Sequence, residues 1–155
     1  MTTTNNDARN CRVVIIGAGM SGICAAVNLK AAGVPFTILE KNPTVGGVWR
    51  DNHYPGAGVD TPNHLYSYSF AMHDWSMFFA LRDELYGYLD HVAGKFDIKP
   101  FIRFNTEVRE ARYDETTQTW SVALTNPDGS ASTITANVLI SATGIFNPPV
   151  KPNID

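Results

Sequence analysis

The sequence predicts an α/β fold organised around a parallel β-sheet, and three observations support this fold class. Short runs of β-branched and other apolar residues, at positions 12–16, 36–39 and 138–141, are typical of strands buried in a parallel sheet. A glycine-rich turn and a helical segment connect the first two runs, as in a βαβ unit. Between residues 102 and 136 the pattern changes to a period of two, which predicts a β-meander inserted into the α/β domain.

The first βαβ unit contains Gly17-Ala18-Gly19-Met20-Ser21-Gly22, which follows the first predicted strand and opens a helix predicted over residues 23–32. The second strand, residues 36–39, leads directly to Glu40. The dinucleotide-binding fingerprint places an acid about 20 residues beyond its glycines, which matches Glu40. Strand, glycine motif, helix and acid together predict a Rossmann-like dinucleotide-binding domain.

Each glycine of the motif has a physical role in holding a pyrophosphate. Gly17 makes the tight turn, Gly19 lets the backbone approach the ligand, and Gly22 lets the helix pack closely on the strand. The pyrophosphate is then expected at the free N–H groups of the helix N-terminus.

Glu40 limits which dinucleotide this turn can hold. A carboxylate at the end of the second strand can accept hydrogen bonds from a ribose hydroxyl, and it would repel a 2′-phosphate. Lys41 is adjacent, but the acid disfavours NADP at this site. FAD and NAD both have a free adenosine ribose, so the glycine motif and Glu40 alone leave both open.

Residues 42–70 form a long stretch rich in glycine, proline and polar residues, and a loop of that length in a compact domain is usually functional. Gly46-Gly47 lets the backbone pass close to a ligand, and Trp49, Tyr54 and Tyr66 can pack around a large ring system. A flavin is such a ring system, so this segment favours FAD. The alternative is that the aromatic side chains only fill the core, for which a polar, glycine-rich segment is poorly suited.

The remaining elements follow from simpler patterns. Apolar residues recur at helical spacing between residues 81 and 96, at leucines, Val92 and Phe96. This spacing predicts an amphipathic helix that covers the sheet. The meander is predicted to comprise strands at 105–113, 119–125 and 132–136. The buried run at 138–141 is followed by Ala142-Thr143-Gly144.

Composition excludes several classes of function. The chain has 155 residues, a net charge of −3 and a pI near 5.7, and it shows no cluster of basic residues for nucleic acid or an anionic membrane. No apolar run is long enough to span a bilayer. The cysteine usage fits a reducing compartment, so a cytoplasmic location is expected. The four histidines and two cysteines show neither metal-ligand spacing nor a redox CxxC motif, so no metal is expected. Residues 1–10 are expected to be a flexible leader.

Several motifs together resemble a known family. They are the glycine motif with Glu40, the segment Gly46-Gly47-Val48-Trp49, and the block Tyr54-Pro55-Gly56…Asp60…His64-Leu65-Tyr66-Ser67-Tyr68-Ser69-Phe70. The chain after residue 10 resembles the N-terminal part of flavin-dependent Baeyer–Villiger monooxygenases, of the 4-hydroxyacetophenone monooxygenase type. The glycine pair is shared by many flavoproteins, whereas the Tyr-Pro-Gly block is specific to this family.

The resemblance implies an oxidoreductase in which NADPH reduces FAD, O₂ reacts with the reduced flavin, and a ketone is converted to an ester or lactone. It implies that Asp60 orients a catalytic arginine beside the flavin; the alternative is a loop aspartate that caps a local turn. It also implies a set of FAD-binding residues: Gly17, Gly19, Met20, Ser21 and Gly22 for the pyrophosphate, Glu40 and Lys41 near the ribose, Gly47, Val48, Trp49, Tyr54, Asp60 and Tyr66 near the flavin, Val108 near the adenine, and Ala142 and Thr143.

The sequence departs from the family pattern beyond the Ala-Thr-Gly segment. It contains neither the fingerprint Phe-x-Gly-x-x-x-His-x-x-x-Trp nor a second GxGxxG for NADPH. We therefore expect an incomplete FAD-binding domain at residues 11–147, the start of a linker at residues 148–155, and no catalysis by this chain alone. A free-standing flavin- or nucleotide-binding module, and a piece of an amine- or sulfide-oxidising flavin monooxygenase, remain the alternatives. The ketone and the oligomeric state are not predicted.

Overall fold

The computed structural model describes residues 12–146 and 153–154, and its centre is a parallel sheet of four strands. In chain order these strands are β1 (Val13–Ile16), β2 (Phe36–Leu39), β3 (Ile102–Arg103) and β7 (Val138–Ser141). They lie in the order β3-β2-β1-β7, with β1 between β2 and β7. The predicted Rossmann-like fold is confirmed.

The sheet is covered on both faces, as its run of β-branched residues predicts. Successive side chains of a strand point to opposite faces, so Val13 and Ile15 join one core and Val14 joins the other. The first core contains residues of the helices, and the second contains Val122 and Leu124 of the meander.

The helices are α1 (Met20–Ala31), the single turn α2 (Val48–Asp51) and α3 (Arg82–Lys95). Helix α1 begins three residues before the predicted start, because Met20, Ser21 and Gly22 of the glycine motif already form its first turn. Helix α3 agrees with the amphipathic pattern and buries Leu85, Leu89 and Val92. A short 3₁₀ helix, Lys99–Phe101, leads into β3. None of the helices in the described residues is long and apolar enough to cross a membrane.

The meander consists of β4 (Glu107–Asp114), β5 (Thr119–Thr125) and β6 (Ala131–Ala136), paired antiparallel in that order. Strand β4 starts two residues later than predicted. The reason is Asn105, whose φ of 51° and N–H bond to the carbonyl oxygen of Asn42 (3.1 Å) belong to a turn.

The long segment 52–81 has no regular secondary structure and is held instead by buried polar groups. Asn63, only 2% exposed, donates from its side chain to the carbonyl oxygen of Met77 (2.8 Å) and accepts from the N–H of Ala80 (3.1 Å). Its own N–H donates to the carbonyl oxygen of Phe78 (3.0 Å). One asparagine thereby holds two stretches of this segment side by side.

Candidate functional site

A cavity of about 350 Å³ opens beyond the carboxyl ends of β1, β2 and β7, the position at which open α/β sheets bind ligands. The structure brings thirteen of the sixteen predicted cofactor residues to its walls: Gly17, Gly19, Met20, Ser21, Glu40, Lys41, Gly47, Val48, Trp49, Tyr66, Val108, Ala142 and Thr143.

The turn after β1 requires glycine for steric reasons. Gly17 has a φ of 100°, and a Cβ there would lie 2.6 Å from the carbonyl oxygen of Ala142, at the end of β7. Gly22 lies below the cavity, in the first turn of α1, where a Cβ would overlap the carbonyl oxygen of Gly17. These two glycines therefore allow α1 to start directly against the sheet.

Gly19 and the glycine pair of the 42–70 segment form one continuous glycine surface. A Cβ on Gly47 would lie 3.0 Å from the Cα of Gly19, and the N–H of Gly46 donates to the carbonyl oxygen of Ala18 (3.0 Å). Both Gly46 and Gly47 have positive φ values, 121° and 54°. Two segments that are distant in sequence thus contact each other through their backbones. Because these glycines have no side chains, the cavity they line stays open to a ligand.

The N-terminus of α1 faces this surface with free donors. The first intrahelical hydrogen bond runs from the N–H of Ile23 to the carbonyl oxygen of Gly19 (3.0 Å). The N–H groups of Met20, Ser21 and Gly22 precede that bond and have no partner within the helix. Gly19 provides no side-chain cap, so the helix end is available to an anion.

Glu40 is buried, and the backbone holds its carboxylate on both oxygens. Oε2 accepts from the N–H of Ala18 (2.7 Å) and Oε1 accepts from the N–H of Asn42 (2.8 Å). A carboxylate can accept about four hydrogen bonds, so acceptor sites remain for a ligand. The sequence pattern predicts only a ligand contact for Glu40, whereas the structure shows that Glu40 also fixes the turn after β1.

Two aromatic residues form one wall of the cavity. The indole N–H of Trp49 in α2 donates to the hydroxyl oxygen of Tyr66 (3.0 Å). Their rings meet edge to face, with centroids 5.9 Å apart and an interplanar angle of 87°. This hydrogen bond fixes both rings before any ligand arrives.

Tyr54 and Asp60 lie away from this cavity. Tyr54 is 62% exposed and borders a separate depression beside Arg82. Asp60 is also exposed, and its Oδ1 accepts a hydrogen bond from the hydroxyl of Thr61 (3.4 Å). The assignments of these two residues to the cofactor remain predictions.

Other residues of the cavity wall are not predicted from the sequence, and Asn42 and Asp51 are the clearest of these. The side-chain N–H of Asn42 donates to Oδ1 of Asp51 (3.3 Å), and the guanidinium of Arg50 donates to the same oxygen (2.7 Å). Their only signal in the sequence is position: Asn42 lies two residues after Glu40, and Asp51 lies two residues after Trp49.

Two family models match the chain. The NAD(P)-binding Rossmann-like domain matches residues 15–80, and L-lysine 6-monooxygenase/L-ornithine 5-monooxygenase matches residues 60–154. The chain is 49% identical to the uncharacterized monooxygenase y4iD of Sinorhizobium fredii, over 92% of the chain and 22% of that protein. It is 41% identical to a Baeyer–Villiger monooxygenase of Streptomyces coelicolor, over 92% of the chain and 27% of that protein.

Solved structures show the same relationship. The complex of OTEMO with FAD and NADP matches with a TM-score of 0.84 and 37% identity, over 93% of this chain and 28% of that one. The open structure of cyclohexanone monooxygenase matches with a TM-score of 0.80 and 31% identity, over 92% and 29%.

The chain spans about a quarter of the length of these relatives, which are themselves described as monooxygenases. The TM-scores show that it shares its fold with part of the solved structures. The chain therefore belongs to the family described by the L-lysine 6-monooxygenase/L-ornithine 5-monooxygenase model, which matches residues 60–154, and Baeyer–Villiger monooxygenases are among its homologues.

Proposed function

We propose that this chain is the part of a Baeyer–Villiger monooxygenase that binds FAD. The observation that carries the proposal is the glycine surface of Gly19 and Gly47 beside the free N–H groups of α1. Both glycines line the cavity, and the absence of side chains there lets the backbone approach a pyrophosphate, so the residues present fit a dinucleotide. The name of the OTEMO structure, which holds FAD and NADP, supports FAD as the dinucleotide.

The predicted residues that line the cavity have the following roles in this proposal. The N–H groups at the start of α1 hold the pyrophosphate, and Glu40 accepts from a ribose hydroxyl with Lys41 beside it. Trp49 and Tyr66 support the flavin end of the cavity. Val108 contacts the adenine, and Gly47, Val48, Ala142 and Thr143 complete the walls.

The activity of the longer protein follows from the Baeyer–Villiger relatives. It would oxidise a ketone to an ester or lactone with NADPH and O₂, in the cytoplasm, and bound FAD would supply the redox chemistry. Asp60, on the exposed segment beyond the cavity, would pair with an arginine contributed by another part of that protein. The domain boundaries at 10 and 147 belong to the same proposal; residues 1–11, 147–152 and 155 lie outside the described residues.

Oxidation of an amine is the second candidate, because the family model that matches residues 60–154 is that of L-lysine 6-monooxygenase/L-ornithine 5-monooxygenase. Two chimaeras separate the candidates. In the first, this chain replaces the aligned quarter of the Streptomyces coelicolor Baeyer–Villiger monooxygenase. A second chimaera uses an L-ornithine 5-monooxygenase as the acceptor instead. NADPH consumption with ketones by the first chimaera alone supports ketone oxidation, and NADPH consumption with ornithine by the second chimaera alone supports the second candidate.

FAD binding by the chain itself is tested directly. FAD fluorescence is followed while purified protein is added, and NADP is titrated in the same way. Gly19→Val is the control, because its side chain would block the pyrophosphate. Tighter binding of NADP than of FAD, or equal FAD binding by Gly19→Val, would refute the assignment.

A further inference from the structure

The buried tyrosine Tyr68 reaches the N-terminus of α1 from the long segment 52–81. Its hydroxyl donates to the carbonyl oxygen of Met20 at 2.6 Å. The Tyr68 side chain is buried and stacks against Phe70 and Tyr88, with ring centroids 4.9 and 5.7 Å away. Burial also holds the pKa of this phenol far above its ordinary value, so the hydroxyl stays protonated and donates.

The Met20 carbonyl belongs to the peptide unit that faces the cavity. A peptide is planar, so the carbonyl of Met20 and the N–H of Ser21 share one plane and point in opposite directions. That N–H is among the free donors at the start of α1, and both residues line the cavity. A hydrogen bond at the carbonyl therefore fixes the direction of the N–H, and it also polarises the peptide so that the N–H donates more strongly.

Helix geometry does not require this bond. The Met20 carbonyl already has the N–H of Cys24 as its ordinary partner four residues on. Removal of the Tyr68 hydroxyl would therefore leave no buried carbonyl without a donor, and the cost to folding should be small.

From this juxtaposition we propose that Tyr68 is a positioning residue for the pyrophosphate of the bound dinucleotide: its hydroxyl orients and polarises the Met20–Ser21 peptide, whose N–H binds the phosphate. The proposal rests on the proposed function, since it requires a dinucleotide in this cavity. Tyr68 itself does not touch the ligand.

Tyr88 provides a matched control. Its hydroxyl is also part of this cluster, donating to the carbonyl oxygen of Ala71 (2.8 Å) and accepting from the N–H of Tyr68 (2.8 Å). Tyr88→Phe removes the same atom as Tyr68→Phe but leaves the buried N–H of Tyr68 without its partner. It should cost more stability than Tyr68→Phe and leave the Met20 peptide unchanged.

The test measures binding of ADP and adenosine to the 155-residue chain, together with its urea unfolding. Tyr68→Phe should weaken ADP binding about 5- to 10-fold, the effect of about one hydrogen bond, and leave adenosine binding unchanged. Tyr88→Phe should lower the unfolding midpoint more and keep the ratio of ADP to adenosine affinity. Equal losses for ADP and adenosine in Tyr68→Phe, or no loss for ADP, would overturn the proposal.

A second measurement does not depend on the variants folding. In the wild-type chain, ADP should shift the backbone ¹H–¹⁵N resonance of Ser21 more than adenosine does, and an unshifted Ser21 resonance overturns the proposal. A wild-type chain that binds ADP but not FAD contradicts the proposed function alone. A wild-type chain that binds neither ADP nor FAD contradicts both the proposed function and the role of Tyr68.

Discussion

At the residue scale, Glu40 shows how one side chain can serve the fold and the site together. Its two oxygens satisfy the N–H groups of Ala18 and Asn42 in a buried position. Glu40→Ala would leave both donors unpaired, and we expect a loss of about 2–5 kcal/mol in the free energy of unfolding, since each buried unsatisfied group costs about 1–3 kcal/mol. Urea unfolding measures this. Glu107→Ala, at an exposed position of the same cavity wall, is the control and should change stability little; equal stability losses for the two variants would refute the buried role.

Asp60 gives the second prediction at this scale, and the chimaera with the Streptomyces coelicolor enzyme is the protein in which to test it. Asp60 is exposed and lies outside the cavity, so Asp60→Ala should keep FAD affinity within about threefold. Ester formation should fall roughly 100-fold or more, as expected when a preorganised charge interaction is lost. Bound flavin is measured by absorbance and ester by chromatography. Full ester yield would show that Asp60 is only a turn residue.

At the scale of elements, the contact between α1 and β1 depends on the absence of one methyl group. A Cβ on Gly22 would overlap the carbonyl oxygen of Gly17, so Gly22→Ala must push the helix from the sheet. We expect about 2 kcal/mol or more of destabilisation, the order found for overpacked sites, together with loss of FAD binding. Gly87→Ala in α3 is the control, because nothing lies within 4 Å of its added Cβ. That change should stabilise the chain by about 0.5–1 kcal/mol. Thermal unfolding of both variants measures these changes in stability. An unchanged unfolding temperature in Gly22→Ala would contradict the close contact between Gly22 and Gly17.

The tyrosines that join the segment 52–81 to α1 and α3 predict a dependence of stability on pH. Burial raises the pKa of Tyr68 and Tyr88 above the ordinary value of about 10. Above that pH the unfolded chain releases these protons while the folded chain retains them, so stability is full below about pH 10 and falls as pH rises further. Urea midpoints measured between neutral and strongly alkaline pH test this. The slope should be smaller in Tyr68→Phe, and an unchanged slope would show that other groups are responsible.

Some of these elements could be predicted from sequence and others could not. The strands flanking the glycine motif follow from short-range pattern, since a buried parallel strand is apolar throughout. The start of α1 was wrong by three residues because glycines are poor helix formers by propensity, yet Gly22 is helical where packing requires it. Strand β3 has two residues and carries almost no periodic signal.

The residues of the site also divide into those that can be predicted from the sequence and those that cannot. Residues adjacent to strand ends, such as Gly17 and Glu40, reach the cavity because the topology alone places them there. The path of the segment 52–81 depends on long-range contacts of Asn63 and Tyr68, which no local pattern reports. The distance of Tyr54 and Asp60 from the cavity could not be predicted for that reason.

At the scale of the whole molecule, the chain has one glycine fingerprint, which we assign to FAD. Loaded with FAD, it should oxidise NADPH no faster than free FAD does, because hydride transfer requires the nicotinamide to be held against the flavin. The measurement is loss of NADPH absorbance under air, compared with the Streptomyces coelicolor chimaera, which should be active. Rapid NADPH oxidation by the 155-residue chain would mean that a nicotinamide site exists within it.

The meeting of Gly19 and Gly47 has a consequence for how the chain tolerates change. The two positions lie on separate segments, yet each occupies the space into which the other's side chain would grow. The two positions are not equivalent: a Cβ on Gly47 would lie 3.0 Å from the Cα of Gly19 at a φ of 54°, whereas a Cβ on Gly19 would make an ordinary contact of 3.5 Å with the Cα of Gly47. Side chains added at both positions would compete for the same gap, so the two positions are coupled. Directed evolution of this glycine surface should therefore keep Gly47 fixed, vary Gly19 only with that contact in mind, and seek new ligand preferences in the side chains around the rim.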